Sequence, residues 1–272
     1  MGRFEDVASS LLKSGTGPQK PKSVFAGNSP VFGAPKDHRV RSNTPHGEIG
    51  TRCVDDFGIR KHIGNRGSLW FKGAKQERIC PINTFDLQTL SLAHQDVVKN
   101  TRQWLDQMVV GLNLCPFASS VISRDQVFYA VCDATTDAQF EQFCVDELQR
   151  LLGANENDIA TSLLMFTQGL EDFDAYLALL DWFQQVLEQA ELTEHVQLAS
   201  FHPQYQFEGV AADDLSHFTN RSPYPIIHIL RQEQMTKVLA QVSDPEQIYK
   251  DNIETLNKLG RPTVEALCPW GV

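Results

Sequence analysis

From Asp96 onward apolar residues return at helical spacing. Val97, Val98, Trp104, Leu105, Met108, Val109 and Leu112 share one wide face with Thr101. A period of 3.6 predicts a helix here, with Gly111 and Asn113 as its stop. Val127–Cys132 is then a short run of strand formers. Thr135 or Thr136 can cap a second helix, which carries Phe140, Phe143, Cys144, Leu148, Leu151 and Leu152 on one side and stops near Gly153. Ser162–Thr167 reads as a buried strand. Glu171 and Asp172 suit the positive end of a helix reaching about Ala190, with Phe173, Tyr176, Leu177, Leu180, Phe183, Val186 and Leu187 inward. His195–Ser200 alternates as a third strand, and Ile226–Leu230 is an apolar fourth.

Met235, Val238, Leu239 and Val242 mark a further helix. Asp244 before Pro245 opens the last one, which carries Ile248, Tyr249, Ile253, Leu256 and Leu259 and ends at Gly260 with Pro262 just beyond. The order α-β-α-β-α-β-β-α-α predicts a compact single α/β domain over residues 91–262. About four strands form its mostly parallel or mixed sheet, flanked by helices. The fourth strand is open to either direction, because about two dozen residues lead into it. Residues 263–272 read as a C-terminal tail. No repeat of 20 to 50 residues is visible.

Charge divides the chain in the same place. Residues 1–90 carry a net +6 and residues 91–272 a net −16. Gly15–Pro35 holds four Pro and four Gly without aliphatic periodicity, a composition that buries too little apolar surface to offset chain ordering. Residues 1–90 are therefore expected to be a mostly disordered basic extension, with a local helix near Phe4–Lys13. The acidic balance of the whole, net −10, argues against a nucleic-acid partner, and no apolar run approaches the ~20 residues of a membrane span. Met1–Asp6 is not followed by a secretory apolar core, and Glu5 and Asp6 count against a transit peptide. None of the six cysteines forms a CxxC pair. Reduced thiols in a cytoplasmic protein are the expectation.

The stretch from His202 to Pro225 is too long for an ordinary connection, yet its Tyr205, Phe207, Phe218 and Tyr224 argue against disorder. It opens at the carboxyl end of a predicted strand, where open α/β sheets place their ligand crevices. Trp104-Leu105, Leu112–Ala118 with its Asn-Leu-Cys-Pro-Phe string, Ala199–Pro203, Tyr205-Gln206-Phe207 and Thr219-Asn220-Arg221-Ser222-Pro223-Tyr224-Pro225 are specific strings. On them the chain resembles the bacterial family called domain of unknown function 1415, over about residues 95–260. The resemblance implies no reaction. It marks which residues to weigh.

Cys115 reads either as a thiol nucleophile or redox group, or as a small buried hydrophobe between Leu114 and Phe117. His202, at a strand end, is a proton carrier or a cap for loop carbonyls. Arg221 offers a planar fork to a small anion, with Asn220 and Ser222 adding hydrogen bonds and Tyr205 and Tyr224 lining the pocket. The plainer alternative is a salt bridge from Arg221 to Asp213 or Asp214. A non-catalytic binding module and a metal-binding protein, holding Zn or Fe, are the rival readings, with Cys115, His202 and His228 as candidate ligands for Zn. His228, inside an apolar strand, reads more readily as a satisfied half-buried histidine. Cys80-Pro81, Cys115-Pro116 and Cys268-Pro269 repeat a dipeptide that can present a thiolate to haem iron. Phosphate loops of the GxxxxGK or GxGxxG type and the Gly-X-Ser-X-Gly elbow are absent, so no cofactor is named.

Overall fold

The computed structural model describes residues 90–240 and 244–271. The extension before residue 90, the helix expected near Phe4–Lys13, Cys80-Pro81 and Val242 lie outside those residues. The first helix, α1 (Leu92–Trp104), starts four residues earlier than the apolar pattern suggests, because the Ser91 hydroxyl accepts from the His94 N–H. It runs on as a π-helical turn, Leu105–Val110, and stops where Asn113 takes the left-handed φ of 54°. A short helix, α2 (Ala118–Ser123), follows. Apolar spacing did not reveal it, since six residues are too few to show a period.

Then come β1 (Val127–Cys132), α3 (Asp137–Gly153), β2 (Thr161–Phe166), α4 (Phe173–Gln189) and β3 (Val196–Phe201). After a 3₁₀ turn at Leu215–Thr219 come β4 (Ile226–Arg231), α5 (Gln232–Leu239) and α6 (Pro245–Leu259). All four expected strands are present within one or two residues. Asp172 caps α4 through the Ala175 N–H, and Asp244 caps α6 through the Glu246 N–H. Leu152, expected inward on α3, is instead 36% exposed.

The sheet is mixed, with order β1-β2-β4-β3. β1 and β2 are parallel, as a helical crossover requires, and β4 runs antiparallel to both neighbours. It enters beside the end of β3, pairing Ile226 with Phe201, so residues 202–225 form an excursion at the carboxyl edge of β1, β2 and β3.

Side-chain alternation divides the interior into two cores, one on each face of the sheet. Leu164, Phe166, Val196, Ile227 and Ile229 meet α3 and α4. On the other face Val127, Leu163, Met165, Phe201 and Leu230 meet α1, α2 and the C-terminal helices. The segment beyond Gly260 is not a tail. Gly260, at φ 74°, ends α6, and Pro262 sits in the first turn of α7 (Arg261–Leu267) rather than beyond a stop. Val264, Cys268 and Gly271 are all buried.

Candidate functional site

On the α1 face the packing is incomplete. A cavity of about 40 Å³ lies between α1, α2, the Leu114–Phe117 turn and the starts of β1 and β2. One water needs ~10–15 Å³, so the space exceeds a single solvent molecule. α6 closes one side, where the Asn252 amide donates to the Leu114 carbonyl at 2.9 Å. Trp104 and Phe201 meet edge to face in the wall, 5.2 Å between centroids. Among the described residues no Lys, Arg, Asp or Glu lines the space.

Four polar side chains in this wall carry chemistry. The indole Nε1 of Trp104 is buried, the residue being only 1% exposed, and has no hydrogen-bond partner among the described residues. A buried donor left unmade costs about 1–3 kcal/mol, so native proteins seldom leave one without reason. His228 stands on β4, facing the cavity from the middle of the sheet. Its Nε2 lies 2.6 Å from Thr161 Oγ1, which donates its one proton to the Ile229 carbonyl at 2.7 Å. The hydroxyl therefore accepts from His228, and the imidazole is the neutral Nε2–H tautomer. Nδ1 is left with a lone pair and no bonded partner among the described residues. Burial holds this ring uncharged, pushing its pKa down to about 3.

Cys115 is the fourth. Pro116 removes the next backbone donor, and the Cys115 carbonyl accepts from the Ala118 N–H at 3.2 Å as α2 begins. Burial pushes the thiol pKa up, against a smaller downward pull from the Phe117 and Ala118 amides. The group is a neutral thiol at rest. Nucleophilic thiols normally sit in electropositive surroundings, and this wall provides none.

The other expected site residues gather elsewhere. His202 is wholly buried. Its Nδ1 accepts from the Gln204 N–H and its Nε2 donates to the Leu170 carbonyl, both at 3.0 Å. Both nitrogens are occupied, and burial pushes its pKa down. Asn220 donates to the Ser200 carbonyl, and its own carbonyl accepts from the His202 N–H. Arg221 donates to the carbonyls of Tyr205 and Gly271 and lies 4.4 Å over the Phe218 ring. It makes no salt bridge to Asp213 or Asp214. Ser222 Oγ donates to the Tyr224 carbonyl at 2.6 Å, Tyr205 is buried against Ser200, and the Tyr224 hydroxyl accepts from Asn100. These six side chains fasten the excursion to the sheet and to the last residues. None of them lines the cavity.

The convergence expected for Cys115, His202 and Arg221 is therefore replaced by Cys115, His228, Thr161 and Trp104. Thr161 and Trp104 were missed as chemistry. The available signal was parity: Thr161 and His228 are polar residues at strand positions whose same-face neighbours are all apolar. Among the described residues no three His, Cys, Asp or Glu side chains are placed to hold a metal ion, and no helix is long and apolar enough to cross a membrane.

A family model described as "Protein of unknown function (DUF1415)" matches residues 96–266, more than half of the chain. The chain belongs to that family. No curated protein and no solved structure matches it.

Proposed function

We propose that this member of the DUF1415 family binds a small, mainly apolar molecule carrying one hydrogen-bond acceptor, in the cavity between α1 and the sheet. The observation that carries the reading is the Trp104 Nε1–H, buried in an apolar wall with nothing to donate to. A pocket with an apolar lining and a few convergent polar groups is the usual form of a small-molecule site. A carbonyl oxygen would satisfy the indole, and His228 Nδ1 can accept from any donor the same molecule carries. The described lining does not support the small-anion reading, since its residues include no cation to offset the desolvation of a charge. The Arg221 cluster supports it little better, with its donors turned to backbone carbonyls.

Calorimetric titration of the full chain with acetophenone and with ethylbenzene tests this. The two have similar shape and differ in the acceptor. Acetophenone is expected to bind about tenfold more tightly, the worth of one net hydrogen bond. Trp104→Phe should erase the difference while ethylbenzene affinity changes little. Absence of binding by both compounds would overturn the reading, as would equal binding of the two by the unsubstituted protein.

A further inference from the structure

We infer that the segment Gln204–Asp214 is an acid-released strap, held at the end of β3 by two neutral histidines and freed when they take up protons. The strap does not depend on what the cavity binds. From Gln204 to Asp214 the chain forms neither helix nor strand, and Tyr205 is its only buried residue. Burial contributes little to such a stretch, which opens at low cost unless polar contacts hold it. Here they do. His202 stands before the segment and His217 after it, both wholly buried. The Gln204 N–H donates to His202 Nδ1 at 3.0 Å, and the Phe207 N–H to His217 Nδ1 at 3.1 Å. The far nitrogens donate in turn, His202 Nε2 to the Leu170 carbonyl at 3.0 Å and His217 Nε2 to the Ala211 carbonyl at 2.8 Å. Arg221 and Arg261 add bonds to the Tyr205 and Asp213 carbonyls.

A backbone N–H can only donate, so each Nδ1 presents a lone pair to the segment. A proton on that nitrogen would set N–H against N–H and remove the bond. Both clasps therefore require neutral rings, and they close on one segment from its two flanks. His202 faces Glu171 and Asp172 ahead of α4, and the Phe173 and Tyr176 rings on it. Burial pushes the Tyr176 phenol far up, so it stays uncharged. The two carboxylates favour a proton on His202, but burial outweighs them and pushes its pKa down. His217 stacks on Phe207 and faces Asp214, whose carboxyl the Ser216 N–H holds below the usual carboxylate range. Tyr249 of α6 and Arg261 of α7, the latter paired with Glu265, lie around Asp214. Once released, a histidine takes a proton near pH ~6.5. While held, His202 refuses it, so acid favours release. Going from pH 7.5 to pH 5.0 raises the opening constant by up to about thirtyfold for one refused proton. The roots of the strap reach the cavity, since Phe201 precedes His202, Thr219 lies just past His217, and both line the space.

Amide hydrogen exchange of the ¹⁵N-labelled full chain at pH 7.5 and pH 5.0, each rate divided by its intrinsic value at that pH, reads the strap directly. The Gln204 and Phe207 amides are expected to be less protected than those of Leu163 and Leu164 in β2 at both pH values. Their protection should fall at least tenfold on acidification. His202→Asn combined with His217→Asn keeps a side-chain acceptor for each amide and cannot titrate, so there the fall should shrink below threefold. Amides that keep their protection at pH 5.0 overturn the strap. So do amides that exchange only as fast as β2, which would mean opening with the whole molecule, and a fall that persists undiminished in the doubly substituted protein. Should that protein not fold, the imidazole ¹⁵N signals of the unsubstituted chain decide. Bare Nδ1 and protonated Nε2 on both rings at pH 7.5, with the two amides losing protection on acidification, support the strap. A ring that carries a proton on Nδ1 while its partner amide stays protected overturns it.

Discussion

At the scale of single residues, His228 gives the sharpest expectation. Its pKa in the folded chain is about 3, against ~6.5 for a free imidazole. Above the higher value both states are neutral and its contribution to stability is complete. As pH falls the unfolded chain takes up a proton that the folded ring refuses, so stability drains away between those values, by up to about 1.4 kcal/mol per pH unit. His202 is depressed by burial as well and adds a slope of the same sign. Urea unfolding at pH 7 and pH 5 should show the loss, and His228→Leu should show a clearly smaller one. Identical pH dependence in the two proteins would contradict the neutral, buried imidazole.

At the scale of elements, Arg231 ties the end of β4 to the end of α3. It leaves the end of β4 and donates to the Leu151 and Ala154 carbonyls at the end of α3 and to the Ile159 carbonyl before β2. A helix C-terminus leaves such carbonyls open, and a cation there is favourable. Arg231→Met keeps the length of the side chain and strands those acceptors. It should lower unfolding stability by about 3 kcal/mol in denaturant titration, given ~1.5–3 kcal/mol for a single charged hydrogen bond. A loss below ~1 kcal/mol would show that water replaces the guanidinium there without penalty. Elements are also what periodicity makes legible. The inward face of Phe173–Gln189 follows from spacing, because burial of one face imposes the period, while Ser162–Thr167 is legible only as a continuous apolar run, since the strand Thr161–Phe166 is buried on both faces. Periodicity does not say which inward side chain lacks a partner. Trp104 reads as one more apolar position on its helix, and its idle N–H emerges only once its neighbours are in place. Nor does periodicity show that the side chains of His202 and Arg221 are engaged by backbone groups of the chain itself. Their strings are distinctive, and the structure shows them used to hold a long excursion onto the end of β3.

At the scale of the whole molecule, the net −16 over residues 91–272 surrounds an uncharged cavity. A field of that sign repels anions and leaves neutral molecules indifferent. Cys115 should therefore react with neutral methyl methanethiosulfonate many times faster than with a dianionic aromatic disulfide, as read by peptide mass mapping of the native chain. Cys132, Cys144 and Cys268, each 5% exposed or less and away from the cavity, should label after unfolding. Labelling of Cys115 at equal rates by both reagents would mean that neither the wall nor the field controls access. The central claim is that an idle indole donor in this cavity awaits an acceptor from outside the protein. It is tested most directly by the indole N–H signals of the uniformly ¹⁵N-labelled chain, which has four tryptophans. The Trp104 signal, identified by its loss in Trp104→Phe, should move downfield on addition of acetophenone and hold still with ethylbenzene. A Trp104 signal that acetophenone leaves in place would contradict the account.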